Sequence, residues 1–388
     1  MRSRPFTGEP QPGLAAGVRL PFMKRGLVVL VAVLAVRLGV PAWYGRMAND
    51  DDLQRGLSAE LVRFETNESA KPAKDRFSGE WAMVTHQMAA LGLAQAVLAH
   101  PELNSAYGPT LRKAALRSWQ PEMRGFGTRA WQGEDALASV EGEHGHAYLA
   151  YSALAVGMAR LIDPEGFPPE VARAHDALIA AYERRLLASP TALIETYPGE
   201  AYPTDVAAVA AAISMHGRAT GLSHAQVLEH WARQVRAVQI DRASGFVHQR
   251  MSVDGTPRDV PRGSGTGLAA YYAGFVNRAL AVELTQALLA HERTFFGFGA
   301  IAEFDAQQGH GDIDSGPVIL GVSVAATGFS LAPFRAFGHR EAFTRLLRTT
   351  TLFGLPERSD EGLQFRTGGP IGNALLLAML TSGPEVVR

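Results

Sequence analysis

The sequence has no cysteine among its 388 residues, and this absence removes several kinds of chemistry. Without thiols, disulfide bonds, cysteine nucleophiles and thiolate metal sites are all excluded. The sequence also lacks a basic run or a patch of interleaved aromatic and basic residues, and its formal net charge is −1. We therefore expect no nucleic acid partner.

Two common catalytic motifs are missing as well. No glycine-rich loop followed by lysine is present, and Gly125-Phe126-Gly127 lacks the preceding strand that a nucleotide site needs. There is no Gly-x-Ser-x-Gly motif, so a serine nucleophile on a sharp turn is not predicted. Charged residues make up only 19% of the chain and hydrophobic residues 47%, which is enough to build a large buried core.

The first 45 residues differ from the rest of the chain. Residues 1–22 are rich in proline and glycine, and we expect them to be a disordered extension. Translation could start at Met1 or at Met23, and the sequence does not decide between them. Residues 23–45 begin with Lys24-Arg25 and continue into an apolar run, which predicts a signal peptide or a membrane anchor. We therefore expect an exported, periplasmic or otherwise extracytoplasmic protein, anchored to the membrane if the segment is not cleaved.

From residue 50 to residue 388 we expect a single all-α domain. The predicted helices alternate between apolar segments rich in alanine and glycine and segments with one charged face. Six such hairpins can close into an (α/α)6 toroid, in which the apolar helices form the inner ring. The predicted helices are 51–64, 80–99, 105–117, 146–161, 168–187, 205–217, 223–237, 266–277, 279–294, 315–337, 340–350 and 371–380.

The loops that precede the inner helices are long and polar, whereas the loops that follow them are short. Because parallel inner helices present their N-terminal ends on one face, this asymmetry predicts one functional face. Residues 125–131 are interpreted as one of these loops. Short β-hairpins are predicted within two other loops, at 245–251 and at 362–366.

The segment 309–317 is predicted to lead into a helix, 315–337, that is buried on nearly every side. Asp314 is placed as its N-cap, and Pro317 falls in the first turn. Asp312 and Asp314 would then bring two carboxylates to a positive helix end at the edge of the core, which suits acid/base catalysis. The structural alternative is that Asp314 only caps the helix.

His146 follows a cluster of acidic residues and His144 at the predicted start of an inner helix. A histidine in that position can transfer protons as a neutral base, or can simply cap the helix. The His144-x-His146 pattern beside acids also suits a metal, but no third ligand follows at a diagnostic spacing. We therefore predict no metal and no other cofactor.

Asp205 is the remaining catalytic candidate, as an acid at the start of the third inner helix, although it too could be a cap. We predict that a further set of residues binds substrate, because they have aromatic or polar side chains and lie near the functional face. The aromatic members could instead be packing residues. The set is Tyr148, Glu195, Tyr197, Tyr202, Arg262, Tyr271, Trp131 and Trp81.

The order of Gly125-Phe126-Gly127-Thr128, Gly145-His146, Thr196-Tyr197-Pro198 and Asp312-Ile313-Asp314-Ser315-Gly316 resembles the linalool dehydratase/isomerase family over about residues 80–380. The resemblance implies an (α/α)6 toroid and a cofactor-free addition or removal of water at a small alcohol. It places His146 on a site histidine, and it places Thr196 and Asp205 on positions that are cysteines in the terpene enzyme. The leading expectation is therefore a lyase or isomerase without those cysteines.

Two alternatives remain open at this point. Paired acids and aromatic residues on a toroid also suit a carbohydrate-active hydrolase or a polysaccharide lyase, with a glycan in place of a small alcohol. The toroid could instead be a non-catalytic binding scaffold of the cell envelope. Oligomerisation is possible under each of these hypotheses.

Overall fold

The computed structural model describes residues 19–47, 50–67, 75–305, 311–312, 314–360 and 362–383. The α-helices are α1 (Arg19–Met47), α2 (Asp50–Asn67), α3 (Arg76–Ala99), α4 (Asn104–Ser118), α5 (Pro121–Ala130), α6 (Ala150–Ile162), α7 (Pro169–Ala188), α8 (Pro203–Thr220), α9 (Ala225–Gln234), α10 (Gly263–Gly274), α11 (Arg278–Ala290), α12 (Val324–Phe329), α13 (Leu331–Ala336), α14 (Arg340–Gly354) and α15 (Gly369–Leu380). Three antiparallel hairpins are β1 (Glu292–Phe295) with β2 (Phe298–Ile301), β3 (Val318–Ile319) with β4 (Val322–Ser323), and β5 (Pro356–Ser359) with β6 (Gly362–Phe365).

The inner helices form a closed ring. Helix α3 packs against α6, α6 against α8, α8 against α10, α10 against α12, α12 and α13 against α15, and α15 again against α3. Helices α2, α4, α7, α9, α11 and α14 pack on the outside of this ring. The predicted all-α class and its (α/α)6 toroid are therefore confirmed.

The ring closes tightly because small residues occupy the inner helix faces. In α8, the run from Val206 to Ile213 is almost entirely alanine and valine and is buried throughout. Gly92 of α3 meets α15 so closely that a Cβ atom there would lie 2.7 Å from the side chain of Leu377. Close approach of the backbones buries the apolar surface of both helices, and this burial is the main favourable contribution to folding.

The predicted buried helix 315–337 is wrong. The segment begins with the β3–β4 hairpin, which turns at Leu320 and Gly321, both with positive φ. Two short helices follow, and the N-cap of the first is Ser323, whose hydroxyl accepts a hydrogen bond from the Ala326 amide. Asp314 therefore does not cap a helix and lies instead in the loop before the hairpin.

Other local predictions had mixed outcomes. The hairpin predicted at 362–366 is present as β6 with β5, but 245–251 forms only isolated β-bridges, such as Ile240 with Val247. Residues 125–131, expected in a loop, lie mostly in helix α5, which begins at Pro121. Gly309, His310 and Ile313 of the predicted acidic segment lie outside the described residues.

Helix α1 carries the apolar run that was predicted as an export signal or anchor. The side chains described in 26–40 are exposed, and Leu38 and Val28 are each 67% accessible. Among the described residues, α3 is the helix that is long and apolar enough by composition to cross a membrane, and 83% of its most apolar window is buried in the ring. Residues 1–18 of the predicted extension lie outside the described residues.

The end of the ring opposite the N-terminal face holds a buried histidine cluster. His175 of α7 accepts a hydrogen bond at Nδ1 from Arg160 at 2.9 Å, and its ring lies 5.4 Å from that of His216. His216 in turn is 3.0 Å from Asp176 and 3.0 Å from His224. Burial lowers the pKa of His175 to about 3, and the neighbouring positive charges contribute to the same shift.

This cluster should make stability depend on pH. Because His175 stays neutral in the folded chain while the unfolded chain takes up a proton below pH 6.5, stability should fall as the pH falls from 6.5 towards 3. At pH 5 the His175 contribution should be a loss of about 2 kcal/mol. Urea unfolding at pH 7.5 and pH 5 should show a smaller difference for His175→Gln than for wild type.

The exposed residue His100, substituted as His100→Gln, controls for the change of residue type itself. An equal pH dependence of unfolding in wild type and His175→Gln would contradict the assignment.

Candidate active site

The N-terminal end of α3 places a carboxylate inside the ring. Asp75 caps the helix by accepting a hydrogen bond from the Ser78 amide at 2.8 Å, so the helix begins at Arg76 and Glu80 lies one turn further on. Glu80 is the single carboxylate of α3, and its side chain is half-buried. An ionisable group at the end of an inner helix that keeps some accessible surface is positioned to meet a ligand.

Asp205 lies in the first turn of α8, where both of its carboxylate oxygens accept hydrogen bonds. The hydroxyl of Tyr151 donates to Oδ1 at 2.5 Å, and the hydroxyl of Thr196 donates to Oδ2 at 2.7 Å. Asp205 is only 8% exposed. These contacts fix the carboxylate between two inner helices and the loop that precedes α8.

Tyr197 connects Glu80 to the surface of the site. Its hydroxyl donates to Glu80 Oε2 at 2.8 Å, and the guanidinium of Arg76 lies 3.5 Å from the centre of its ring. Arg76 also donates to Glu200 at 2.9 Å, and Arg250 donates to the other oxygen of Glu200 at 3.0 Å. Two arginines therefore flank one glutamate at the mouth of the site.

Residues 311–312 and 314–316, which we call the acidic loop, contribute Asp312 and Asp314 from across the ring. Asp312 forms an ion pair with Arg262, and its Oδ1 accepts hydrogen bonds from the amides of Asp314 and Ser315 at 3.1 and 2.9 Å. The Asp314 carboxylate accepts a hydrogen bond from Gln249 at 3.4 Å. Asp312 thus shapes the loop, and Asp314 is the acid that the loop presents.

We refer to Glu80, Asp205 and Asp314 as the carboxylate cluster. Burial raises the pKa of Glu80 to about 8, and the negative charge of Asp205 adds to this shift. Burial also raises the pKa of Asp205 to about 6, against the opposing effect of the hydrogen bonds from Tyr151 and Thr196. The two groups titrate as a linked pair, and at neutral pH Glu80 is mostly protonated while Asp205 is mostly ionised.

The two acids of the loop behave differently from each other. Partial burial raises the pKa of Asp314, and the negative charge of Asp312 adds to this shift. The Asp314 side chain is still open to solvent, so water screens the interaction between the two charges. Burial alone would raise the pKa of Asp312, but the hydrogen bond and positive charge of the Arg262 guanidinium hold it below its usual value. Asp312 is therefore an ionised partner of Arg262 at neutral pH.

A cavity of about 530 Å³ opens beside Tyr197, a volume within the usual range for small-ligand sites. Arginine, aromatic and polar side chains share its wall, so it can contact both the ring faces and the hydroxyl groups of a ligand. The lining residues are Arg76, Phe126, Arg129, Ala130, Gln132, Tyr197, Pro198 and Glu200.

His146 lies beside this region, but its contacts are with another set of residues. It is fully buried, has a positive φ of 48°, and its Nε2 is 2.9 Å from Glu134 Oε1. Glu134 Oε2 is 2.8 Å from His144 Nδ1, and the ring of Trp131 lies between 4.5 and 4.8 Å from both histidine rings. Burial lowers the pKa of His146, and Glu134 opposes that shift.

The predicted site residues therefore separate into groups. Asp205, Asp314 and Tyr197 come together at the carboxylate cluster. Tyr148 stacks on Tyr197 with ring centres 6.1 Å apart, and Tyr202 donates to Glu200 at 3.3 Å.

The remaining predicted residues have mainly structural contacts. Trp131 donates to the Thr196 carbonyl at 3.1 Å, and Arg262 pairs with Asp312. Glu195 accepts a hydrogen bond from Gly199 in its own turn. Tyr271 is buried against Gln95, and Trp81 is 42% exposed.

Sequence reasoning missed Glu80, Arg76 and Glu134. Glu80 did leave a signal, because it is the last charged residue before a run of 19 residues, 81–99, that has no Asp, Glu, Lys or Arg. An acid near the start of a helix is common, however, so this signal alone does not separate a catalytic acid from a favourable helix-end charge. Glu134 has no such signal, since it precedes His144 by ten residues in an irregular loop.

The ring and its polar N-terminal face define an (α/α)6 toroid with an acidic site. No protein-family model matches the chain. No curated protein matches it either. Solved structures do match in fold.

One similar structure is the unsaturated glucuronyl hydrolase of Bacillus sp. GL1, responsible for the degradation of glycosaminoglycan, with 12% identity and a TM-score of 0.50 over 85% of this chain and 94% of that one. A second is an inactive variant of the α-1,6-mannanase of Salegentibacter sp. HEL1_6 in complex with α-1,6-mannotriose, with 12% identity and a TM-score of 0.48 over 87% of this chain and 98% of that one. A third is an α-mannanase of Bacteroides thetaiotaomicron, with 9% identity and a TM-score of 0.46 over 77% of this chain and 84% of that one.

One of these similarities corrects the leading expectation. The unsaturated glucuronyl hydrolase, and not a linalool dehydratase/isomerase, matches the fold of this chain, so the resemblance to the linalool dehydratase/isomerase family is wrong. The hydration or dehydration of a small alcohol that was inferred from it is wrong with it. At this level of identity the likeness establishes the fold alone, and the chemistry has to be argued from the site.

Proposed function

We propose that the chain is a carbohydrate-active enzyme that hydrolyses a glycosidic bond with Glu80 as general acid and Asp205 as general base. The observation that carries this proposal is the pair of carboxyl groups with different proton affinities in one cluster. Acid-catalysed bond cleavage needs one carboxyl that is protonated and one that is ionised at the same pH. The pKa values of about 8 for Glu80 and about 6 for Asp205 meet that need near pH 7.

In the proposed reaction Glu80 donates its proton to the oxygen of the leaving sugar while the bond from that oxygen to the anomeric carbon breaks. A water molecule attacks the anomeric carbon, and Asp205 accepts a proton from that water. The hydroxyls of Tyr151 and Thr196 already hold both Asp205 oxygens, and the side chain is buried. These contacts hold the Asp205 carboxylate in a fixed position from which it can accept that proton.

The surroundings of the carboxylate cluster support a sugar substrate. Arg76 and Arg129 line the cavity with positive charge, beside the side chains of Tyr197 and Gln132. Arginine forms paired hydrogen bonds with carboxylates. An acidic sugar therefore belongs in the test panel beside neutral ones.

The test is a substrate screen with the purified chain. The panel should include α-1,6-mannooligosaccharides and unsaturated glucuronyl oligosaccharides from glycosaminoglycans, with products followed by mass spectrometry. A hydrolase gives products that together weigh one water more than the substrate, whereas a polysaccharide lyase gives an unsaturated product without added water. Binding without any product would favour the alternative of a non-catalytic scaffold and would contradict the proposal.

Activity should follow a bell-shaped dependence on pH. The rate should rise as Asp205 loses its proton near pH 6 and should fall as Glu80 loses its proton near pH 8, with a maximum near pH 7. The measurement is kcat/KM between pH 5 and pH 9.5 on any substrate found in the screen. A rate that keeps rising beyond pH 8.5 would contradict the role of Glu80 as the acid.

The exposed apolar side chains of α1 support a second proposal, that this segment directs export or anchors the chain at a membrane. Fractionation of cells that express the chain tests it. Recovery of the chain in the soluble cytoplasmic fraction, with α1 still attached by mass, would contradict it.

A further inference from the structure

The loop between α5 and α6 brings together one glutamate and two histidines that no step of the proposed reaction uses. Glu134 Oε2 lies 2.8 Å from His144 Nδ1, and Glu134 Oε1 lies 2.9 Å from His146 Nε2. One nitrogen of each histidine and one carboxylate oxygen all lie within 4.8 Å of one another. Sequence reasoning found the histidines but no third ligand, and the third ligand lies upstream of them.

We propose that Glu134, His144 and His146 bind a divalent transition-metal ion of the Zn²⁺, Co²⁺ or Ni²⁺ type. Two imidazole nitrogens and one carboxylate oxygen are ligands that these ions prefer, and a fourth position would be filled by water. His144 is 55% exposed at its side chain and Glu134 30%, so the ion and the water can approach from solvent. The site is separate from the carboxylate cluster and does not depend on the proposed hydrolase activity.

The loop is held in place without a metal. Arg185 of α7 donates hydrogen bonds at 3.1 to 3.4 Å to the carbonyls of Ser139, Val140, Gly142 and Gly145. These hydrogen bonds fix the loop on both sides of His144. The loop therefore loses little conformational entropy when an ion binds.

His146 carries the second observation that points to a built site. It adopts a left-handed backbone conformation that residues other than glycine rarely take, and Tyr182 donates a hydrogen bond to its carbonyl at 2.9 Å. Strained residues of this kind persist where the surrounding structure holds them, and they occur often at functional sites. In this conformation the His146 side chain places Nε2 2.9 Å from Glu134 Oε1.

Side-chain movements would complete the coordination, because the most widely separated ligand atoms, which are up to 4.8 Å apart, have to come closer together. Bonds of about 2.0–2.1 Å around a tetrahedral ion separate ligand atoms by about 3.3 Å. The two histidine–glutamate distances of 2.8 and 2.9 Å would have to lengthen slightly. The two nitrogens that now contact Glu134 would bind the ion, so neither could carry a proton and the glutamate would release both hydrogen bonds.

The test uses untagged full chain and Co²⁺ as a spectroscopic probe, with Zn²⁺ titrated by calorimetry. We expect visible d–d absorption bands on addition of Co²⁺, their loss when Zn²⁺ is added, and one Zn²⁺ bound per chain. His144→Ala should weaken Zn²⁺ binding at least 100-fold and remove the Co²⁺ bands. Because His144 is exposed, this variant should unfold at the wild-type temperature in the absence of metal.

His100→Ala is the matched control, since His100 is an exposed histidine 3.3 Å from Glu102 on the surface. It should bind Zn²⁺ as wild type does. Co²⁺ bands that persist in His144→Ala, or equal Zn²⁺ affinity in wild type and His144→Ala, would overturn the proposal. Absence of any saturable Zn²⁺ binding to wild type would overturn it as well.

Discussion

Replacing Glu80 with glutamine is expected to lower kcat by roughly 10²–10⁴-fold, the range that a positioned general acid contributes. Glutamine keeps the size of the side chain and can still accept the hydrogen bond from Tyr197, but it has no proton to give to the leaving oxygen. KM should change little, because the variant retains the contacts of the cavity wall. The measurement is steady-state kinetics at pH 7 on a substrate from the screen.

Asp205→Asn should cause a loss of similar size, since it removes the group that takes a proton from water. The effects of substituting residues that act in the same step do not add. The double variant Glu80→Gln/Asp205→Asn should therefore be hardly less active than either single variant. Glu102→Gln, at an exposed glutamate, controls for the exchange of residue type. A Glu80→Gln variant that keeps more than a tenth of wild-type kcat would refute the assignment.

The second large effect is expected on stability, from Gly145→Ala. A Cβ atom at this position would lie 2.3 Å from the carbonyl oxygen and 2.4 Å from the amide nitrogen of Glu195. The contact is with backbone, which cannot rotate away, and the Ala147 amide donates to the same Glu195 carbonyl at 3.0 Å. The substitution would push apart the loops before α6 and α8, and we expect a loss of about 3 kcal/mol in the free energy of unfolding.

Urea unfolding at neutral pH measures this loss, and the same glycine-to-alanine change at Gly328 provides the control. Gly328 lies in α12, and a Cβ atom there would meet nothing within 4 Å. Alanine should be neutral or slightly stabilising at that position because it is the better helix former. Equal midpoints for Gly145→Ala and Gly328→Ala would show that the two loops can separate without cost.

The ring itself could be predicted because its signal is repeated. Helices such as α8 are apolar through their central turns, and polar loops precede them, so a single misjudged boundary does not alter the architecture. The fifth inner segment shows where this reasoning fails. Val318, Ile319 and Val322 form an apolar run that a buried helix and a buried hairpin would both produce.

The β-branched residues of that run favour strands, and Gly321 permits the turn. These local preferences were outweighed in the prediction by the length of the apolar segment. The carboxylate cluster was harder to predict for a different reason. Its members, Glu80, Asp205 and Asp314, are far apart in sequence, and only closure of the ring brings their charges close enough to shift one another's pKa.

Ring closure also has a consequence for how the chain is made. Helix α15 packs directly against α3, although some 270 residues separate the end of one from the start of the other. While a ribosome is still adding residues 369–380, the inner face of α3 has no neighbour on one side and Glu80 has no finished chamber around it. The nascent chain therefore has an incomplete site during synthesis, and its apolar inner helices remain available to a chaperone until the last hairpin is complete.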